Sequence, residues 1–162
     1  MARRICISVI GASVAAEGEL SIAQELGREI ARRGAVLICG GLTGVMEAAA
    51  KGAREEGGLT IGILPGEDSS SANPYIDVPI VTGLGFVRNV IVAYSGDAVI
   101  AVGGKLGTLT EIAFAFMKDK PVIGIGTWAP EEGRLEGHKL ILAKDAKEAV
   151  KKALEIINTR RA

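Results

Sequence analysis

The feature that most constrains this chain is an alternation. Short apolar, β-branched runs at residues 5–10, 35–39, 59–64, 98–102 and 121–125 are each followed by a turn rich in glycine or proline. Residues 77–81 read as a further short strand and 139–143 as an edge strand. Between the runs, residues 19–33, 45–56, 83–94, 112–118 and 144–159 carry helical spacing. Strands joined through helices rather than hairpins run parallel, and right-handed crossovers cover both faces of the sheet.

The expected fold class is therefore α/β: a Rossmann-like, doubly wound, mostly parallel sheet of about seven strands with helices on both faces. Local signals support the element boundaries. Ser21 with Gln24 reads as a capping box for the first helix, Ile22, Leu26 and Ile30 share its inner face, and Gly34 stands at its C′ position. Phe86, Val90 and Tyr94 form one stripe of the fourth-strand-to-fifth-strand helix. Ala146, Val150, Leu154 and Ile157 point inward from the last helix. The polar stretch 67–74 is a loop and a candidate lid. Tyr75 and Trp128 sit in loops, where either can cover a bound ring.

A length of 162 residues suits a single domain spanning 1–162. Hydrophobic residues make up 48% and aromatic ones only 4%, so the core is aliphatic, as buried parallel strands require. Lys plus Arg and Asp plus Glu balance at 19 each, which points to neither nucleic acid nor a membrane surface as partner. Asp97 interrupts the longest apolar run, so no membrane span is expected. Arg3 and Arg4 precede a short apolar run without a cleavage pattern, so no signal peptide is expected. Cys6 and Cys39 lie inside apolar runs without metal-ligand spacing and read as reduced core thiols of a cytoplasmic protein, with no metal site.

Three glycine-rich turns fall at the carboxyl ends of predicted strands, where ligands bind in open parallel sheets. They supply the candidate phosphate-binding residues: Gly11 and Ser13; Gly41, Thr43 and Gly44; and Gly103, Gly104, Gly107 and Thr108. Glycine lets a backbone approach a phosphate closely, and a helix start offers free N–H groups and a positive dipole end. Glu111 reads either as a carboxylate beside this turn or as the acid of a Thr108-x-x-Glu111 capping box. Arg88 lies near a helix start between apolar neighbours; it reads as a ligand contact or as a surface cation paired with Glu67 or Asp68. Met46, beside the second turn, reads as core. A dinucleotide fingerprint is missing, since the first turn holds only Gly11 and no acid ends the second strand. Residues 103–108 lack the G-K-[ST] of a Walker A loop. His138 stands alone, which removes a serine-hydrolase triad.

Taken together, Gly40-Gly41-Leu42-Thr43-Gly44-Val45-Met46, Gly57-Gly58-x-x-Ile61-Gly62-Ile63-Leu64-Pro65 and Gly103-Gly104-x-x-Gly107-Thr108-x-x-Glu111 resemble the LOG superfamily, long mislabelled "lysine decarboxylases". That resemblance implies Arg88 and Glu111 as a catalytic pair cleaving the N-glycosidic bond of a nucleoside 5′-monophosphate, with no cofactor needed for the chemistry. It also implies a homodimer or higher homo-oligomer with helices beside the site at the interface. A pyridoxal-dependent decarboxylase has no support in the residues. Three departures bring the chain nearer to a sister branch similar to molybdenum cofactor carrier proteins. Val102 replaces the motif proline, the turn is one residue longer, and Gly85-Phe86-Val87-Arg88-Asn89 stands where the enzymes carry M-H-x-R-K. The resulting expectation is a carrier or sensor that binds a phosphorylated nucleotide or a molybdopterin-type cofactor. The alternative is a phosphoribohydrolase.

Overall fold

The computed structural model describes residues 3–162. Strands β1 (Cys6–Gly11), β2 (Val36–Cys39), β3 (Thr60–Leu64), β4 (Val78–Val81), β5 (Ala98–Val102), β6 (Val122–Ile125) and β7 (Leu140–Leu142) form one sheet in the order β4-β3-β2-β1-β5-β6-β7. Every neighbouring pair is parallel. Helices α1 (Glu17–Arg32), α2 (Val45–Glu55), α3 (Asn89–Ser95) and α4 (Leu106–Met117) make four of the crossovers, loops join β3 to β4 and β6 to β7, and α5 (Ala146–Arg161) follows β7. The chain winds outward from β1 to β4, then returns to lay β5 against the other side of β1. That reversal places a topological switch point between β1 and β5.

Period-two alternation within the buried strands divides the core. Ile7, Val9, Ile100 and Val102 face α1, α2 and α5. Ile10, Val99 and Ala101 face α3 and α4. Ser8, the one polar residue inside β1, is fully buried, and its hydroxyl donates to the Val92 carbonyl of α3 at 2.6 Å. The hydroxyl thus finds a partner where no water reaches. The edge strand β4 is exposed along its whole length.

Four local expectations are corrected. Helix α1 starts at Glu17, before Ser21, so Ser21 and Gln24 lie inside it; the cap instead uses Glu19, whose carboxylate accepts from Ala16 N–H at 2.9 Å. Helix α4 starts at Leu106 rather than 112, with Lys105 at its N-cap. Thr108 and Glu111 are therefore interior helical residues, and Glu111 is not the acid of a capping box. The helix expected over 83–94 is a 3₁₀ turn, Gly85–Arg88, followed by the short α3. Its inward face carries Arg88, Asn89, Val92 and Ala93, while Phe86 is 90% exposed and Tyr94 is exposed as well. Of the apolar stripe seen in the sequence, Phe86 and Tyr94 face outward and Val90 is half-buried.

Among the described residues no helix is long and apolar enough to cross a membrane. Cys6 and Cys39 are both free.

Candidate functional site

A cleft of about 250 Å³ opens at the switch point, beyond the carboxyl ends of β1, β2 and β5. One wall is the backbone of the β1–α1 turn, Gly11 to Val14. The opposite wall is the start of α4, with Lys105, Gly107 and Thr108. The floor is Gly40, Met46, Arg88, Asn89 and Glu111. The sheet topology alone brings together residues separated by up to a hundred positions in the chain.

The turn into α4 is shaped by two glycines in left-handed conformations, Gly103 at φ 51° and Gly104 at φ 107°. A side chain at Gly104 would stand 2.5 Å from the Thr108 side chain, and one at Gly103 would overlap the Glu19 carboxylate. Among the described residues, no group accepts a hydrogen bond from the N–H groups of Leu106, Gly107 or Thr108. The first turn of α4 therefore presents free donors and the positive end of a twelve-residue helix to the cleft. Trp128 steadies this turn from outside: its Nε1–H donates to the Lys105 carbonyl at 3.1 Å.

Arg88 is only 7% exposed. One of its terminal nitrogens donates to Asn89 Oδ1, and Nη2 reaches the Gly40 carbonyl at 3.5 Å. Its Nε is buried without a partner. It pairs with neither Glu67 nor Asp68. Gly40 makes this placement possible, because a Cβ there would stand 2.7 Å from Nη2 and 2.6 Å from Met46 Sδ. Burial lowers the proton affinity of the Arg88 guanidinium, with Glu111 and Cys39 opposing.

Glu111, 6% exposed, projects from the second turn of α4 onto the same floor. Burial pushes its carboxyl up to about 8, with Arg88 pulling the other way. No ion pair within 4.0 Å joins Arg88 to Glu111. Beneath them, burial pushes the Cys39 thiol up to about 12, and its sulfur accepts from Gly41 N–H at 3.4 Å.

The cleft thus gathers Gly11, Ser13, Arg88, Gly107, Thr108 and Glu111 of the residues anticipated from sequence. Gly41, Thr43, Gly44, Gly103 and Gly104 lie outside its lining. Thr43 donates its hydroxyl to the Ser13 carbonyl at 3.0 Å, and Gly44 packs flat on the Ala12 and Ser13 backbone. These residues hold the β1–α1 turn in place from behind. Residues 67–74 do not line the cleft; Asn73 instead ties this loop to the β2–α2 turn through the Gly41 and Leu42 carbonyls. Met46 both belongs to the core and lines the cleft. Gly40, Asn89 and Lys105 were not anticipated as site residues. Asn89 was visible only as the residue standing where the enzymes have Lys. Among the described residues, no three His, Cys, Asp or Glu side chains are grouped to hold a metal ion.

Glycine turns and a buried Arg–Glu couple at the switch point of a seven-stranded parallel sheet define a Rossmann-like protein of the LOG type. More narrowly, the chain belongs to the SLOG cluster4 family, whose family model matches residues 4–155. It is similar over nearly its whole length to two solved structures. One is the molybdenum cofactor binding protein of Rippkaea orientalis, at 37% identity and TM-score 0.89, covering 96% of this chain and 98% of that one. The other is the molybdenum cofactor carrier protein of Chlamydomonas reinhardtii, at 40% identity and TM-score 0.86, covering 96% and 99%. It also resembles the cytokinin riboside 5′-monophosphate phosphoribohydrolase of Mycobacterium tuberculosis, at 34% identity over 70% of this chain and 66% of that enzyme. The fold and the LOG-superfamily placement on the carrier-like branch are thus as the sequence motifs implied.

Proposed function

We propose that this protein binds a phosphorylated heterocycle, of the molybdopterin type, and carries it without cleaving it. The observation that carries this reading is the buried Arg88, which lines the cleft beside Glu111 and whose Nε has no hydrogen-bond partner. A buried guanidinium with no carboxylate in an ion pair and one N–H unpaired is costly, and an anionic ligand offsets that cost. The groups present fit such a cargo. The free N–H groups of α4 and the Arg88 donors suit a phosphate. The Glu111 carboxyl, whose neutral form burial favours, suits the polar edge of a ring. Likeness to carriers over nearly the full length of both chains supports the same reading.

A second reading, nucleoside 5′-monophosphate phosphoribohydrolase, is favoured by Arg88 and Glu111 meeting in one cleft and by the mycobacterial relative. Stabilising an oxocarbenium-like sugar calls for an ionised carboxylate. Burial pushes the Glu111 carboxyl up to about 8, against the ionised form that this chemistry needs.

The deciding experiment has two arms. Protein purified from its native host is analysed by mass spectrometry for a bound phosphorylated pterin or nucleotide. The same protein is incubated with a panel of nucleoside monophosphates, and free base and ribose 5-phosphate are measured. The carrier reading expects a bound cargo and no base release above a Glu111→Ala control. Release abolished by that substitution establishes the enzyme instead.

The same reading takes the protein to be cytoplasmic and homodimeric. Leu106 and Met117 are 72% and 73% exposed on α4, and Phe86 and Val87 are exposed as well. An apolar face of this kind suits a second copy.

A further inference from the structure

Asn89 stands outside the roles assigned so far. It opens α3 immediately after Arg88, is 6% exposed, and lines the cleft. Its side-chain Oδ1 accepts from the Arg88 guanidinium. A guanidinium only donates, so the amide atom that meets it must be oxygen. The amide NH₂ is thereby forced to the other side. Among the described residues, no group accepts a hydrogen bond from that Nδ2. It lies 3.9 Å from the point where a Cβ on Gly107 would stand, at the free first turn of α4. A nearly buried donor without a partner and a helix N-terminus therefore converge on one small volume.

We propose that Asn89 is a ligand-binding residue with two linked tasks. Its carbonyl holds the Arg88 guanidinium, and its amide NH₂ donates to an oxygen of the ligand's phosphate seated at the α4 N-terminus. The Asn89 NH₂ and the N–H groups of Gly107 and Thr108 then form one donor set beside the Arg88 guanidinium. Lysine at this position, as in the M-H-x-R-K pattern, has no acceptor with which to hold the arginine. Asn89 thus orients Arg88 by a means that lysine lacks. Gly107 belongs to the same arrangement, because a methyl group there enters the space between Nδ2 and the helix start.

The inference rests on the phosphate-binding reading above, and its test separates the two. Binding of 5′-AMP, inorganic phosphate and adenosine to the full chain is measured by calorimetry for wild type, Asn89→Asp and Gly107→Ala. Asn89→Asp keeps an acceptor for Arg88 but replaces the NH₂ donor with negative charge. Gly107→Ala leaves Asn89 and Arg88 untouched and is tolerated by a helix start, so it guards against misfolding of the first variant. Both variants are expected to lose about tenfold or more in affinity for AMP and phosphate, with adenosine little changed. Wild-type phosphate affinity in Asn89→Asp shows that the residue only orients Arg88 and overturns the proposal, while leaving the phosphate-binding reading intact. No binding of AMP or phosphate by the wild type at millimolar concentration overturns that reading and this inference together.

Discussion

Arg88 and Glu111 are buried against the same cleft floor, each shifting the other's proton affinity, yet they make no ion pair within 4.0 Å. Both pay the desolvation of burial, and neither collects the full Coulomb return. Such an arrangement is poor for stability and suited to a ligand that sits between the two groups.

Glu111→Gln tests the acid's side of this arrangement. The folded chain holds the Glu111 proton up to about pH 8, while the unfolded chain releases it near the ordinary carboxylate value. Between those values the folded state binds more protons, so this group's contribution to stability falls as pH rises through that window. Glutamine removes the titration. Thermal melts should show the variant gaining on wild type from pH 5 to pH 8, by on the order of 2–4 kcal/mol at the upper end, and level beyond. A constant difference across pH contradicts the buried, protonated acid.

Arg88→Met tests the cation. Methionine fills much of the same volume without a charge to desolvate. The variant should melt higher than wild type by the equivalent of about 1–2 kcal/mol, and should lose binding of phosphorylated ligands. Lower stability together with intact binding runs against the role assigned to Arg88.

The α1–α2 packing is set by close backbone contact. A Cβ at Gly52 would lie 1.8 Å from the Gln24 carbonyl oxygen, and one at Gly27 would lie 1.9 Å from that of Ala49. Neither helix can yield locally, so Gly52→Ala should force them apart. Alanine normally favours a helix by about 1 kcal/mol over glycine. Here the expected result of chemical denaturation is a net loss of about 2–4 kcal/mol. A stabilised variant means the helices do not approach this closely.

Met117→Glu addresses oligomeric state at the end of α4 remote from the cleft. A carboxylate there cannot be buried against an apolar partner without a large cost. Sedimentation should show wild type as a dimer or larger and the variant as monomer, with an unchanged circular dichroism spectrum. A wild-type monomer removes the second copy from the proposed function.

Much of the fold was legible in the residues. Ile7, Val9, Leu37, Ile100 and Ile123 belong to apolar runs too short for helices, and the intervening helical spacing required crossovers. The parallel sheet and the glycine turns at its carboxyl ends follow from that. Helix starts were less legible. The start of α4 was displaced because Thr108-x-x-Glu111 has the form of a capping box. The stripe of Phe86, Val90 and Tyr94 did not reveal the inward face of the 83–94 segment, where Arg88 and Asn89 are the buried residues. Burial of an arginine depends on partners supplied by distant elements, here Gly40 and the cleft floor, which periodicity does not contain.

The sequence by itself determined the layer architecture, the family and the glycine-rich turns from which the candidate phosphate contacts were drawn. These depend on local spacing and composition, which the chain carries wherever it folds. The tertiary structure decided which of them meet. Crossing from β4 back to β5 beside β1 sets the α4 N-terminus opposite the β1–α1 turn and brings Arg88 over Gly40. It also leaves Gly41, Gly44 and Gly103 behind the cleft as packing contacts and turns the Asn89 amide toward Gly107. Those outcomes depend on distances between elements far apart in the chain, and such distances exist only once the sheet has closed around its switch point.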